Sequence, residues 1–398
     1  MKGTIFKRTL PSGRLTWGYS IDLGKDQNGK RIRPQKIGFA RKGDAETELR
    51  HKLNEKDAGE VVKPDPSTFV EFMAEWFREH AEQKCTLKTV ERYRQLAAYI
   101  YPHIGAVRLQ ELSTLMLQRV FNKLKESGGH DRKTKKPRPL AAKTVRHIAG
   151  LVHTALATAI EWGLLKSNPC ITKNLPKAPK HEAVALDPAQ LAWFTEAARS
   201  AGLYEFLMVA GGTGCRRGEL LALTWPDVDI YGRQLWISKS LEQTRAGLRV
   251  KPTKTEKPRP VPLPPSTAEI LKGLKAEQEH RKQLFGFDYK SDLNLVFCAA
   301  DGDYLKPDTI TAKACLIAKK AGMKDTSIHT LRHSYGSQLL SAGVPLPTVS
   351  KILGHANVYT TANVYSHALA KDEATAADKW EATVHDAIER ERRNAKIS

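Results

Sequence analysis

Three short stretches in the second half of the chain carry side chains able to work on a phosphate. In TGCRRGELLALTW, Arg216 and Glu219 stand three apart where a helix follows the apolar run from Tyr204 to Ala210, and Arg217 is the neighbour. A spacing of three on a helix is one face. In HTLRHSYGSQLL, His329 and Arg332 repeat that spacing at the opening of another helix. In LGHANVYTTANVYSH, His355 is followed by two tyrosines, Tyr359 and Tyr365. Taken singly these are ordinary: an Arg–Glu pair at a helix start is usually a surface ion pair.

Taken together they suit phosphoryl transfer. That reaction develops negative charge on the non-bridging oxygens, and guanidinium forks neutralise it bidentately. A phenol can attack phosphorus and hold a covalent intermediate. Its ordinary pKa of about 10 means that it needs a base or a positive field, and a histidine can be the base. The leaving 5′-oxygen needs a proton. A lysine could supply it, and the stretch from Arg249 to Leu263, which reads as strand–turn–strand, holds Lys251, Lys254 and Lys257. His329 and His333 are four apart, as in a zinc-binding helix, but Thr-Leu-Arg between them brings a guanidinium instead of a Glu base. No metal site is expected there.

These residues need a scaffold of several elements, and the chain is long enough to provide it. It has 398 residues, a net charge of +21 and 41% hydrophobic residues, which excludes global disorder and favours a polyanionic partner. The most apolar long stretch, Ile148 to Ile160, is too short and too polar to span a bilayer, and the N-terminus shows no apolar signal core. The five cysteines are scattered and form no CxxC pair. This points away from a disulfide framework or zinc knuckle and towards a reducing, cytoplasmic setting, on DNA.

The basic excess is concentrated at the start: eleven Lys and Arg, but only two acidic residues, fall within residues 1–42. Residues 1–58 read as a three-stranded sheet plus a helix. Leu15, Trp17, Tyr19 and Ile21 alternate with smaller residues, Pro11-Ser12-Gly13 and Asn28-Gly29 signal turns, Ile32 to Phe39 forms a third strand, and residues 44–56 form the helix. Arg14, Arg31, Arg33 and Lys36 are its candidate DNA contacts, since the acidic partners of a neutral surface are missing. Residues 59–66 read as a linker.

Residues 67–180 read as a bundle of four amphipathic helices. The first is opened by a Thr68/Glu71 capping box and carries Phe69, Phe72, Met73, Trp76 and Phe77 as core. Between the third and fourth helices lies a cationic loop of Arg132, Lys133, Lys135, Lys136 and Arg138, continued by Lys143 and Arg146, placed to grip a phosphate backbone. Residues 181–398 form the last domain, opened by the helix start Asp187-Pro188. Ala374, Ala377, Trp380, Val384 and Ile388 recur at helical spacing near its end, giving an amphipathic C-terminal helix. The expected fold is mostly α with small β-sheets: the N-terminal sheet, the bundle, then a mixed α+β domain.

The four motifs TGCRRGELLALTW, KPTKTEKPRPVPLP, HTLRHSYGSQLL and LGHANVYTTANVYSH, in this order, resemble those of the tyrosine recombinases, the phage integrase family. The likeness covers about residues 187–370 well. The bundle resembles the family's core-binding domain, and the N-terminal sheet the arm-binding domain of the longer integrases. Carried over by position, the resemblance implies that Arg216 and Arg332 clamp the phosphate and that Lys254 is the general acid. It makes His329 the proton acceptor or organiser and gives His355 a hydrogen bond to the phosphate. Tyr365, ahead of Tyr359, becomes the nucleophile, and Glu219 supports the arginine helix.

It implies a site-specific recombinase that forms a 3′-phosphotyrosine without ATP, metal or cofactor, integrating and excising a mobile element such as a prophage or genomic island. The implied partners are double-stranded DNA at core and arm sites, three further copies of the chain around a Holliday junction, an excisionase and a DNA-bending host protein. The bundle and catalytic domain are expected to clamp the duplex, with the C-terminal helix docked on a neighbouring protomer. A type IB topoisomerase shares a similar catalytic set, but the arm-like domain speaks against it. A non-cleaving DNA-binding regulator does not need the full set, and a metal-dependent nuclease lacks its carboxylate cluster.

Overall fold

The computed structural model describes residues 3–22, 31–57, 64–131, 134, 136–175, 185–253, 258–323, 326–365, 380–390 and 392–394. It falls into two units, residues 1–179 and 180–398. Small antiparallel sheets accompany a mostly helical chain.

The first unit starts with β1 (Gly3–Thr9), β2 (Leu15–Ile21) and β3 (Gln35–Phe39), hydrogen-bonded in that order. α1 (Lys42–Asp57) packs on this sheet, with Leu49 against Tyr19 and Ile21. Two details differ from the sequence reading. β3 begins at Gln35 instead of Ile32, because Pro34 has no N–H to give the ladder and contributes only its carbonyl, to the Ile21 N–H. The inside–outside alternation of β2 is also imperfect: Leu15 is exposed while Thr16 is buried. In the pairing with β3 the register shifts between Trp17 and Gly18, which leaves Gly38 of β3 as the extra residue.

The bundle follows as α2 (Phe69–Trp76), α3 (Leu87–Ile104), α4 (Thr114–Ser127) and α5 (Ala142–Glu161). Thr68 and Glu71 exchange capping hydrogen bonds at the start of α2. Beyond Trp76 the helix continues through a π turn, Phe77–Ala81, which keeps Phe77 on the buried face. Phe69, Phe72, Met73, Trp76 and Phe77 are all buried in one core with α3, α4 and α5. The Trp76 indole N–H donates to Thr158 of α5 at 3.1 Å, which satisfies a polar atom in the interior. β4 (Gly129–His130) and β5 (Pro137–Arg138) pair across the base of the cationic loop.

The second unit opens on α6 (Pro188–Ala197), capped by Asp187, and continues through α7 (Tyr204–Thr213) and α8 (Arg217–Leu221). Next come β6 (Val228–Asp229), β7 (Gln234–Ile237), β8 (Lys239–Thr244), β9 (Gly247–Pro252) and β10 (Arg259–Pro262). The helices α9 (Pro265–Phe285), α10 (Pro307–Lys320), α11 (Ile328–Ser341), α12 (Leu346–Leu353) and α13 (Val358–Val364) follow. Phe206, Leu207, Leu220, Leu235, Val261, Leu271 and Leu331 belong to its main core.

The two strands expected within residues 249–263 are present, but they do not pair with each other. β9 pairs with β8, whereas β10 pairs with β7, so the two strands belong to different sheets. Pro258, Pro260 and Pro262 leave β10 with N–H donors at alternate residues only, hence on one edge. That edge is taken by β7. Near the C-terminus residues 380–390 are helical, with Trp380 and Ile388 exposed and Val384 half-buried. Ala374 and Ala377 lie outside the described residues. Among the described residues no helix is long and apolar enough to cross a membrane.

The capping box at α2 should contribute measurably to the first unit. Thr68→Ala removes a side-chain acceptor for the Glu71 N–H. We expect a loss of about 1 kcal/mol in denaturant unfolding of that unit.

Candidate active site

α7 stops at Gly214, which takes the left-handed conformation with φ of 62°. A Cβ there would stand 2.5 Å from the Tyr335 ring. The turn leads straight to Arg216 at the cap position of α8. Glu219, one turn on, accepts the Arg216 backbone N–H at 2.9 Å and its Nη1 at 2.9 Å. Glu219 is only 2% exposed. Its carboxylate is also held by both Nη atoms of Arg259 on β10, at 3.0 and 2.7 Å. Burial is the strongest single influence on this carboxyl and pushes its pKa up. Hydrogen bonds and charge from Arg259, then Arg216, together outweigh it and hold the pKa below the ordinary value.

The end of α12 gathers the cations. A helix C-terminus leaves carbonyls without intrahelical partners and carries partial negative charge. Three successive carbonyls each receive one arginine. Arg259 Nε donates to Ile352 O at 3.0 Å, Arg332 Nη2 to Leu353 O at 2.6 Å, and Arg216 Nη2 to Gly354 O at 3.1 Å. Arg332 also donates from Nη1 to Gly214 O at 2.8 Å, tying the end of α7 to the end of α12. Burial, then the charge of Arg216, lowers its pKa to about 10, so it stays protonated at neutral pH.

The histidines flank this cluster. His355 follows Gly354 directly, and its Nδ1 lies 2.8 Å from Thr361 Oγ1 on α13. Burial, then the charges of Arg332 and Arg216, lowers its pKa to about 4. The His329 imidazole is likewise lowered, by burial first and then by the same two arginines. Both rings are therefore neutral near pH 7. His329 and His333 meet edge to face with centroids 4.6 Å apart, and His333 meets Tyr365 at 5.9 Å.

Tyr365 is 1% exposed. It is packed with Leu340, Val349 and Leu353, and its hydroxyl donates to Arg332 O at 3.4 Å. Gly336 on α11 makes room for it: a Cβ there would stand 2.6 Å from the phenol oxygen. Burial raises the phenol pKa, and Arg332 opposes that. Tyr359, the other tyrosine of the motif, is 74% exposed.

The structure thus brings together Arg216, Glu219, His329, Arg332, His355 and Tyr365. Arg217 points elsewhere: its Nη1 donates to Pro307 O at 2.9 Å and to Thr311, anchoring the start of α10. Lys254 and Lys257 lie outside the described residues. Lys251 on β9 is ion-paired with Glu242, Nζ to Oε2 2.5 Å. Arg259 was given no role by the sequence reading. The available signal was its place in β10, where it alternates inward with the buried Val261.

The candidate DNA contacts divide. Arg14 and Arg31 are exposed. Arg33 pairs with Asp22 at 3.2 Å and Lys36 with Glu48 at 2.8 Å. This corrects the expectation that acidic partners are missing: antiparallel pairing and the packing of α1 bring carboxylates that sequence distance had hidden. Lys136, Arg138, Lys143 and Arg146 are exposed at and beyond the ladder. Arg132, Lys133 and Lys135 lie outside the described residues.

Residues 185–372 match the phage integrase family, and residues 68–125 match its N-terminal SAM-like domain. A tyrosine recombinase XerC-like protein of Caldanaerobacter subterraneus subsp. tengcongensis is 27% identical over 389 residues, covering 93% of this chain and 96% of that one. The Tn1549 transposon integrase in complex with a circular intermediate DNA has a TM-score of 0.64 at 21% identity, over 75% of this chain and 95% of that one. A lambda integrase tetramer bound to a Holliday junction has a TM-score of 0.57 at 17% identity, over 90% and 94%. At such identities the structural likeness shows a shared fold. The chain belongs to the phage integrase family of tyrosine recombinases. It is a site-specific DNA recombinase.

Two predictions follow from the geometry. Gly354 has φ of 64°, and a Cβ there would lie 2.7 Å from Arg259 Nε. Gly354→Ala should destabilise the second unit by about 1–2 kcal/mol from backbone strain alone, read by denaturant melting. Acid sensitivity is the second. The His355 pKa is lower in the folded chain than in the unfolded one. Between about 6.5 and about 4 the unfolded chain therefore binds a proton that the folded chain refuses, and stability falls as pH drops through that window. His355→Asn should show a shallower fall in melting temperature over it than the wild type.

Proposed function

We propose that the chain cleaves and rejoins DNA through Tyr365, forming a 3′-phosphotyrosine, and that it integrates and excises a mobile element. The observation that carries this reading is the convergence of Arg216, Arg332, His355 and Tyr365 on the end of α12, with His329 beside the two arginines. The Tyr365 oxygen attacks the scissile phosphorus and the bond to the 5′-oxygen breaks. Neutral His329 accepts the phenol proton, and Lys254 gives a proton to the departing 5′-oxygen. Arg216 and Arg332 offset the charge growing on the non-bridging oxygens, and neutral His355 hydrogen-bonds one of them. The 5′-hydroxyl of the partner duplex then attacks the phosphotyrosine. One ester replaces another, so the cycle needs no ATP. Since Tyr365 is buried, it must leave its seat among Leu340, Val349 and Leu353 before it can attack.

In the same proposal residues 181–398 are the catalytic domain and residues 67–180 the core-binding domain, holding phosphates through Lys136, Arg138, Lys143 and Arg146. Residues 1–58, with Arg14 and Arg31 exposed, are the arm-binding domain. Four protomers act on two duplexes. The transposon and lambda integrases of the same fold, one solved on a circular intermediate and one as a tetramer on a Holliday junction, support that reading.

A duplex of the attachment site, nicked near the crossover so that the cleaved strand escapes, tests the chemistry. Wild type should give a protein–DNA adduct that survives SDS and forms in EDTA. Tyr365→Phe should give none, while Tyr359→Phe should react like wild type. An adduct from Tyr365→Phe overturns the assignment of the nucleophile. Deleting residues 1–58 should leave cleavage at the core site and weaken arm-site binding in a mobility-shift titration. Equal affinity with and without that segment removes the arm-binding role.

A further inference from the structure

Arg259 does more than fill an inward position of β10. We infer that Arg259 is a positioning residue that takes up the charge of Glu219 and so leaves the charge of Arg216 for the DNA phosphate. This rests on the reading of Arg216 as a phosphate clamp.

The geometry divides one carboxylate between two guanidiniums unequally. Arg259 grips both oxygens of Glu219, at 3.0 and 2.7 Å. The Arg216 side chain reaches only Oε1, through Nη1. The Arg259 and Glu219 side chains are 8% and 2% exposed, whereas that of Arg216 is 37% exposed. Glu219 and Arg259 therefore form a closed, neutral, fork-to-fork pair in the interior. Arg216 borders the pair and keeps its positive charge on the accessible side. Without Arg259 the carboxylate would remain beside Arg216, held there by the Arg216 backbone N–H. A buried carboxylate stripped of its main partner recruits the nearest cation, and here that is the clamp itself.

The third arm of Arg259 strengthens the case. Its Nε holds Ile352 O, one residue before the carbonyl bound by Arg332 and two before the carbonyl bound by Arg216. Arg259 thus sets both the charge and the seat of the clamp. A lysine cannot do this, because one ammonium cannot grip two carboxylate oxygens in a fork and reach Ile352 O as well.

The test compares Arg259→Gln with the double variant Arg259→Gln/Glu219→Gln. Adduct formation on the nicked duplex is measured at saturating protein, alongside core-site affinity and melting temperature. The single variant should form adduct at least about tenfold more slowly than wild type, with affinity changed far less, since the loss falls on transition-state charge. The double variant buries no orphan carboxylate and should recover most of that rate; because a purely structural pair would also be rescued in stability, the rates are compared at a temperature where melting shows every variant fully folded. Wild-type cleavage by Arg259→Gln, or a double variant that melts cooperatively yet cleaves no faster than the single one, overturns the inference. If Arg259→Gln does not fold, the double variant decides alone: cleavage within about tenfold of wild type supports the inference, and a deeper loss overturns it. A wild type that forms no adduct at all defeats the phosphotyrosine reading itself and this inference with it.

Discussion

The last turn of α12 presents three successive carbonyls to three guanidiniums, and the charge chemistry of the second unit depends on that meeting. The helix end is weakly negative and Glu219 is a full anion, so the arginines are held without being fully neutralised. They come from the turn after α7, from β10 and from α11. Three distant pieces of chain are registered on one short helix end, and small residues permit the approach. Gly354 leaves space for the Arg259 guanidinium, and Gly214 for the ring of Tyr335.

The same concentration of positive charge governs the histidines. Burial alone disfavours an imidazolium, and Arg216 and Arg332 disfavour it further for His329 and His355. The cluster of positive charge therefore keeps its neighbouring imidazoles unprotonated. The two properties have one origin, and neither requires a carboxylate beside the histidine.

Much of this was legible in the sequence because it is local. The Thr68/Glu71 cap, the aromatic face of α2, the Asp187 start of α6 and the Arg216/Glu219 spacing all follow from periodicity and short-range hydrogen bonding. The four motifs named the family through their order. What sequence could not give is pairing across long separations. The Arg33–Asp22 and Lys36–Glu48 pairs exist only once strands and helix are docked. β9 and β10 are adjacent in the chain but part to different sheets, a choice made by proline-limited donors on β10 and the free edge of β7. Arg259 is unremarkable in a proline-rich stretch until its distance to Glu219 is known. The storage of Tyr365 against Gly336 is likewise a matter of tertiary packing.

That storage gives one side chain two employments. In the fold Tyr365 is a core residue, touching Leu340, Val349 and Leu353 with its oxygen against the Arg332 backbone. In the proposed role of nucleophile it must leave, and those apolar neighbours lose a ring-sized partner when it does. On that proposal the armed state is also the looser state of the fold. Reactivity and integrity then trade against each other within one residue, and the weapon is ready only while something outside the chain keeps the vacated seat from reclaiming it.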